Sequence, residues 1–190
     1  MKRFIALLAL ILIVSGLQAQ TQMTVLTTRT YGIPNVLAAY TAGDVVGDSG
    51  RYATPIEFQN AVRYAGGSGQ ILSATLVMDS INVTTGTFRL HLFRDSTDYT
   101  KAATNTLDTL DDHAAYVIKV TCRGIYVGYI DFTLLAGPTG STMSYAQNTA
   151  PAIYFTTLRY RSLWGVLTAT GAYTRKQTGA FTITLRIRED

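Results

Sequence analysis

Hydrophobic and polar positions alternate with period two along much of this chain, and the runs are short. The clearest is Ala180–Arg188, where Phe181, Ile183, Leu185 and Ile187 fall on one side of an extended backbone and Thr182, Thr184, Arg186 and Arg188 on the other. Successive side chains of a strand point to opposite faces, so this run predicts one face in the core and one toward solvent or an interface. Leu163–Thr170 alternates in the same way, with Trp164, Val166 and Thr168 opposite Leu163, Leu167 and Ala169. Thr87–Arg94 gathers Phe88, Leu90 and Leu92 and leaves Arg89, His91 and Arg94 on the more polar side. Within Pro55–Asp79, the segment Gln70–Asp79 sets Leu72, Ala74, Leu76 and Met78 against Ile71, Ser73, Thr75 and Val77. Gly66, Gly67 and Gly69, just ahead of it, predict a tight structural turn, because glycine reaches positive φ without a Cβ clash. The whole stretch therefore reads as a hairpin.

Weaker signals fill in the remainder. Thr24–Thr30 is rich in β-branched residues and predicts an edge-type strand. Short strands are expected around Ala38–Thr41 and Asp44–Val46, then at Tyr116–Cys122, Gly124–Gly128, Tyr129–Leu134 and Ala152–Thr157. Ala136–Pro151 is polar, holds two prolines and two glycines, and predicts a long loop. Leu110–Ala115 is the one helical candidate, with Asp108 or Thr109 as its cap. Many short strands and almost no helix predict an all-β fold, an antiparallel β-sandwich of jelly-roll-like or Ig-like form with one short helix.

This sandwich is expected to be a single domain over residues 21–190. Residues 1–20 join a basic start, an apolar run Phe4–Val14 and a small-residue end at Ala19. That is the pattern of a signal-peptide-like hydrophobic helix, with cleavage after Ala19. A retained anchor is the alternative, although the run is short of the ~20 residues of a spanning helix.

Composition changes this picture little. Of 190 residues, 15% are charged and 47% hydrophobic, so much surface is buried in a core or against a partner. Without Lys2 and Arg3, 14 basic residues stand against 12 acidic ones, too small and scattered an excess for a nucleic-acid face. Arginine and the 12 tyrosines are residue types favoured at protein interfaces, and tyrosine is equally at home in strands.

Candidate chemistry is sparse. Asp95 and Asp98 flank a turn, and Asp108, Asp111, Asp112 and His113 cluster by the expected helix. Polar turns and caps explain such aspartates better than an acid–base pair does. His91 and His113 have no partner at metal-ligand spacing, and no G-x-S-x-G elbow or phosphate loop is present. Cys122, the single cysteine, sits in an apolar run that predicts a small buried hydrophobe. Tyr40, Tyr64, Tyr126, Tyr129, Tyr154, Tyr160 and Trp164 would make a glycan-stacking platform only if several shared a face. Asn82-Val83-Thr84 matches a glycosylation sequon. No catalytic residue, metal or cofactor is expected.

Three segments carry a resemblance: Tyr40-Thr41-Ala42-Gly43-Asp44-Val45-Val46-Gly47, then Phe58-Gln59-Asn60-Ala61-Val62-Arg63, then Gly66–Leu76. With Leu90-His91-Leu92-Phe93, Leu107–Ala115, Leu163–Ala169 and Thr182–Arg188 after them, the chain resembles a family of small virion structural proteins of tailed bacteriophages over about Val25–Asp190. The resemblance implies a non-enzymatic component of a bacteriophage particle, such as a head decoration or a neck or tail-associated protein. Such a protein acts by self-association and docking to other virion proteins. It would be a homo-oligomer located in the virion, with no nucleic acid and no small-molecule substrate. Thr182, Thr184, Arg186 and Arg188, on the outward face of the last strand, are the candidate interface. Residues 1–20 support the alternative of an exported bacterial surface or periplasmic binding module, secreted or held at the cell surface, with glycans as a candidate ligand.

Overall fold

The structure is a computed structural model that describes residues 24–32, 39–47, 55–79, 85–95, 115–118, 122–136, 143–149, 151–174 and 180–189. The expected leader, the boundary at residue 21, the helix at Leu110–Ala115 except Ala115 itself, the sequon and the Asp108–His113 cluster lie outside these residues.

Eleven strands and no α-helix occur among the described residues: β1 (Thr24–Gly32), β2 (Ala39–Tyr40), β3 (Ile56–Phe58), β4 (Ser68–Asp79), β5 (Thr85–Phe93), β6 (Tyr126–Ala136), β7 (Met143–Asn148), β8 (Ile153–Thr156), β9 (Leu163–Ala169), β10 (Tyr173–Thr174) and β11 (Ala180–Glu189). Nine of them form one antiparallel sheet in the order β1-β11-β4-β7-β6-β5-β9-β3, with β8 following β7 along β4; β2 and β10 pair separately. The sheet curls until its edges meet. Thr27 of β1 is buried, and its hydroxyl donates to the Gln59 carbonyl just past β3 at 2.9 Å. The two halves thus face each other across one core, the all-β antiparallel sandwich expected from the alternation.

That core is filled by the inward positions of the long strands. Leu76 and Met78 of β4, Phe88, Leu90 and Leu92 of β5, and Phe181, Ile183 and Leu185 of β11 expose no surface. Burial of each contributes on the order of 1.5–3 kcal/mol. Phase follows the sequence pattern except at one place. Pairing of β4 with β11 shifts between Arg186, which faces Ser73, and Ile187, which faces Ile71. Leu72 is the extra residue of this bulge, so Ile71 turns inward and Leu72 is only half-buried, the reverse of their expected faces.

The expected hairpin over Pro55–Asp79 is not formed. β3 pairs with β9, whereas β4 lies between β11 and the β7–β8 line. Asn60, at φ 55°, turns the chain out of β3, and Ala61 and Val62 plunge into the core, with the Val62 N–H donating to the Arg161 carbonyl at 3.1 Å. Gly66 and Gly67 occupy the turn that follows. Gly69 is already inside β4, where a Cβ would lie 3.0 Å from the Arg188 carbonyl and 3.2 Å from the Phe155 ring. Close approach of strands, not turning, requires glycine there.

Three further expectations need correction. The loop expected over Ala136–Pro151 contains β7. The strands expected at Gly124–Gly128 and Tyr129–Leu134 give a turn over 122–125 and the single strand β6, and of Tyr116–Cys122 the described residues 116–118 and 122 are not strand. The Trp164–Thr168 face of β9 is not open to solvent. Val166 packs outside the sheet with Val45, Phe93, Cys122 and Ile125 in a second cluster, which Tyr116, Ile118, Tyr126 and Trp164 border. Cys122 is the small buried hydrophobe expected.

The Tyr40–Gly47 segment braces the same edge. Gly43 and Val46 donate from N–H to the Ala169 and Leu167 carbonyls at 2.8 Å each, and Asp44 accepts at Oδ2 from the Thr41 N–H at 2.5 Å.

Candidate interface and candidate polar site

β11 holds Thr182, Thr184 and Arg186 on its outward face, and β1 and β4 extend that face on either side. The hydroxyls of Thr184 and Thr28 lie 3.0 Å apart, and those of Thr182 and Thr30 lie 2.8 Å apart. Across the other edge, Thr75 stands opposite Thr184 and Val77 opposite Thr182. Arg186 is exposed, between Leu26 and Ser73. Arg188 differs from the other three: it bonds through Nη2 to Gln70 Oε1, and its Nε is buried without a hydrogen-bond partner. The structure therefore brings three of the four candidate residues onto an open surface and commits Arg188 to the sheet.

The surface continues where the sequence predicted only a loop. Val77 is opposite Tyr145 of β7, which is opposite Leu135 of β6. Leu26, Leu135 and Tyr145 are 68%, 65% and 46% exposed on this face. Threonine ladders and isolated large apolar side chains, with one free cation and no carboxylate among the residues named, define this face.

A second constellation lies on the outer side of β5, β6 and β9. Arg89 holds Asp131 through two hydrogen bonds, Nε to Oδ1 at 2.7 Å and Nη2 to Oδ2 at 2.9 Å, and its guanidinium lies 3.8 Å from the centre of the Tyr129 ring. His91 sits beside them, with Nδ1 3.3 Å from the Tyr126 hydroxyl and Nε2 3.5 Å from Thr168 Oγ1, under the Tyr116 ring at 5.1 Å. Burial, then the positive charge of Arg89, lowers the His91 pKa from 6.5 to about 4, against a weaker upward pull from Asp131. Burial likewise raises the Tyr126 hydroxyl. The ring is thus neutral at neutral pH.

A stability prediction follows from that burial. Unfolded His91 takes up a proton below 6.5 and the folded protein only near 4, so stability is complete above 6.5 and is lost as pH falls through this window. The loss is about 1–2 kcal/mol after allowing for solvent screening of a half-buried ring. Urea unfolding of the native protein and of His91→Gln across the window should show the difference between them shrinking on acidification. Parallel curves would contradict it.

The other candidates separate. Asp95 is buried, with Arg159 Nε 3.9 Å from its Oδ2, and so is not in an open polar turn; Asp98 lies outside the described residues. Tyr40 is in the core, stacked on Tyr173 at 5.8 Å. Tyr126 and Tyr129 flank His91, and Tyr126 also borders, with Tyr154, a surface cavity of about 490 Å³ between β6 and β8. Among the described residues no three His, Cys, Asp or Glu side chains are grouped to hold a metal.

No protein-family model matches this chain, and no curated protein matches it. Solved structures of virus particles do align. A chain of cocksfoot mottle virus shares 10% identity over 89% of this chain and 95% of its own, with a TM-score of 0.32. A chain of the Israeli acute paralysis virus full particle shares 11% over 89% and 72%, also at 0.32. A chain of the virus-like particle of the giant freshwater prawn Macrobrachium rosenbergii nodavirus shares 8% over 90% and 96%, at 0.29.

Proposed function

We propose that this chain is a non-enzymatic structural component of a virus particle, which self-associates and docks to other virion proteins through the outward face of β1, β11, β4, β7 and the end of β6. The observation that carries this is the face itself: Leu26, Leu135 and Tyr145 stand exposed among threonines, with Arg186 as the charged anchor. Aromatic and arginine side chains set in a polar surround are what association surfaces use. The finer reading is a component of a tailed-bacteriophage particle, a head decoration or a neck or tail-associated protein. Its support is that the resembling segments serve as scaffold: Tyr40–Gly47 braces β9, and Phe58–Val62 enters the core.

Arg186→Glu combined with Leu135→Ser should change unfolding free energy by less than about 0.5 kcal/mol per site, as expected for exposed positions. Self-association measured by sedimentation should weaken by roughly tenfold or more. Arg188 is left intact because its substitution would disturb Gln70. Unchanged association and unchanged incorporation into particles would remove this face from consideration.

A second reading, an exported surface or periplasmic module that binds glycans, is favoured by the exposed Tyr129 beside the Arg89–Asp131 pair. It requires a mature chain beginning at Gln20 in an envelope fraction, which mass spectrometry of the native protein would detect.

A further inference from the structure

β6 and β8 touch at Gly128, where a Cβ would lie 3.7 Å from Ile153 Cδ1. Val127, next to it, is the extra residue of a bulge against Leu92 and Phe93 and bends the start of β6. Beside this contact lies the surface cavity of about 490 Å³, with Tyr126 of β6 and Tyr154 and Thr156 of β8 in its lining. That volume falls among the ~300–1,000 Å³ of sites that take a small molecule.

Three kinds of group converge there. Arg94 supplies the charge. Its Nε and Nη2 donate to the Gly124 carbonyl at 3.1 and 2.6 Å, and its backbone N–H donates to the Ile125 carbonyl at 2.9 Å. Backbone and guanidinium are thus pinned to one turn at the cavity wall. A guanidinium is a rigid fork of five N–H donors, and Arg94 makes no ion pair among the described residues. Its Nη1–Nη2 edge is left for an oxyanion, and carboxylates accept two parallel bonds from such an edge. No carboxylate side chain is among the described lining residues; Glu189 stands opposite Gly69 on the neighbouring β11.

Hydroxyls are the second kind. Ser68 Oγ and Thr156 Oγ1, both in the lining, lie 3.0 Å apart across the β4–β8 pair and present donors and acceptors together. Aromatic rings are the third. Tyr126 is half-buried and Tyr154 is 67% exposed, and tyrosine offers an apolar body with a polar tip. Such a ring matches the C–H face of a pyranose, and paired hydroxyls match its hydroxyl rim. One guanidinium balances the single charge of a carboxylate, whereas it would leave part of a phosphate uncompensated.

We propose that this cavity binds a carboxylate-bearing sugar, a uronic or sialic acid unit of a glycan. Its carboxylate pairs with Arg94, its ring lies against Tyr154, and its hydroxyls bond to Ser68 and Thr156. Neither reading of function above uses these residues, and the exposed Tyr129 belongs to a different site.

The test titrates the isolated full chain, with no assembly step, so its failure leaves the β1–β11–β4 face untouched. Probes are the methyl glycosides of glucuronic, galacturonic and N-acetylneuraminic acid, followed by NMR chemical shifts. Methyl glucoside and methyl galactoside are the uncharged counterparts, and acetate and inorganic phosphate the small anions. At least one acidic glycoside should bind saturably at millimolar concentration and shift the amides of Gly69, Gly124, Tyr154 and Thr156. The uncharged sugars, and Arg94→Gln titrated with the acidic sugar, should each bind roughly tenfold more weakly, with Arg94→Lys restoring part of the loss. Tyr154→Ala, at an exposed position, should lower affinity for the acidic sugar by about threefold or more. Four results would overturn the proposal: no saturable binding of any acidic glycoside, equal binding of the uncharged sugars, shifts confined to other strands, or acetate or phosphate binding as tightly as the sugar. Because the ligand comparison is made on the native chain, it decides the matter even if Arg94→Gln unfolds.

Discussion

Phe88→Ala is expected to remove about 3–5 kcal/mol of folding free energy, the largest loss of any single truncation considered. Phe88 exposes no surface and meets two aromatic rings edge-on, Tyr173 at 5.3 Å and Phe181 at 5.4 Å. Each such pair adds about 0.5–1.5 kcal/mol beyond the area it buries. The rings belong to different layers: Phe181 comes from the β1–β11–β4 half of the sheet, and Tyr173 from the β2–β10 pair, where its hydroxyl reaches Met78 Sδ at 3.3 Å. Deleting the ring therefore detaches three parts at once and leaves a cavity that backbone ladders on both sides of β5 hold open. Against a total stability of about 5–15 kcal/mol, this is a large fraction. The urea midpoint should fall with little change in slope, and Thr133→Ala, exposed on β6, should stay within about 0.5 kcal/mol of the native protein. A loss below about 1 kcal/mol for Phe88→Ala would mean the ring is not enclosed.

Leu185→Ala should cost about 2–5 kcal/mol. Leu185 lies at the middle of β11, opposite Thr27 on one side and Ala74 on the other, and exposes no surface. Its neighbour Thr184 faces outward and bonds only to the hydroxyl of Thr28 at the surface, so Thr184→Ala should change stability by well under about 1 kcal/mol. The contrast between adjacent positions measures the phase of β11 directly. A slip of one residue would exchange the two results. Equilibrium unfolding of both variants is sufficient.

Phase was legible in the sequence wherever inward positions are large and apolar. β11 and β5 show it plainly, through Phe181, Ile183, Leu185 and Ile187 and through Phe88, Leu90 and Leu92. β7 was not legible, because its buried positions are Ser144 and Ala146, too small and polar to mark a face. Partners were less legible than strands. Alternation identifies a half-buried strand without naming its neighbour, and the glycines before β4 suggested a hairpin that Asn60 and the inward turn of Ala61 and Val62 prevent. Likewise, the bulge at Leu72 depends on pairing with Arg186 and Ile187, over a hundred positions away in the chain, and no local pattern encodes it.

The two sites divide along the same line. The outward residues Thr182, Thr184 and Arg186 could be chosen from alternation alone, because they share a strand. Leu135 and Tyr145 join them only through the order of strands. His91 was visible as a polar member of β5, but Tyr126 and Thr168 stand 35 and 77 positions from it. Nothing local announces that a histidine will be buried between them.

β1 and β11, the first and last described strands, are paired, with Thr24 opposite Arg188. Whatever precedes residue 24 and whatever follows residue 188 therefore depart from one corner of the molecule. Joining these ends by a short linker and reopening the chain in an exposed loop should yield a circular permutant of unchanged shape. The same proximity gives the domain a polarity: a label or fused protein joined directly at Thr24 or at Glu189 starts from the same pole.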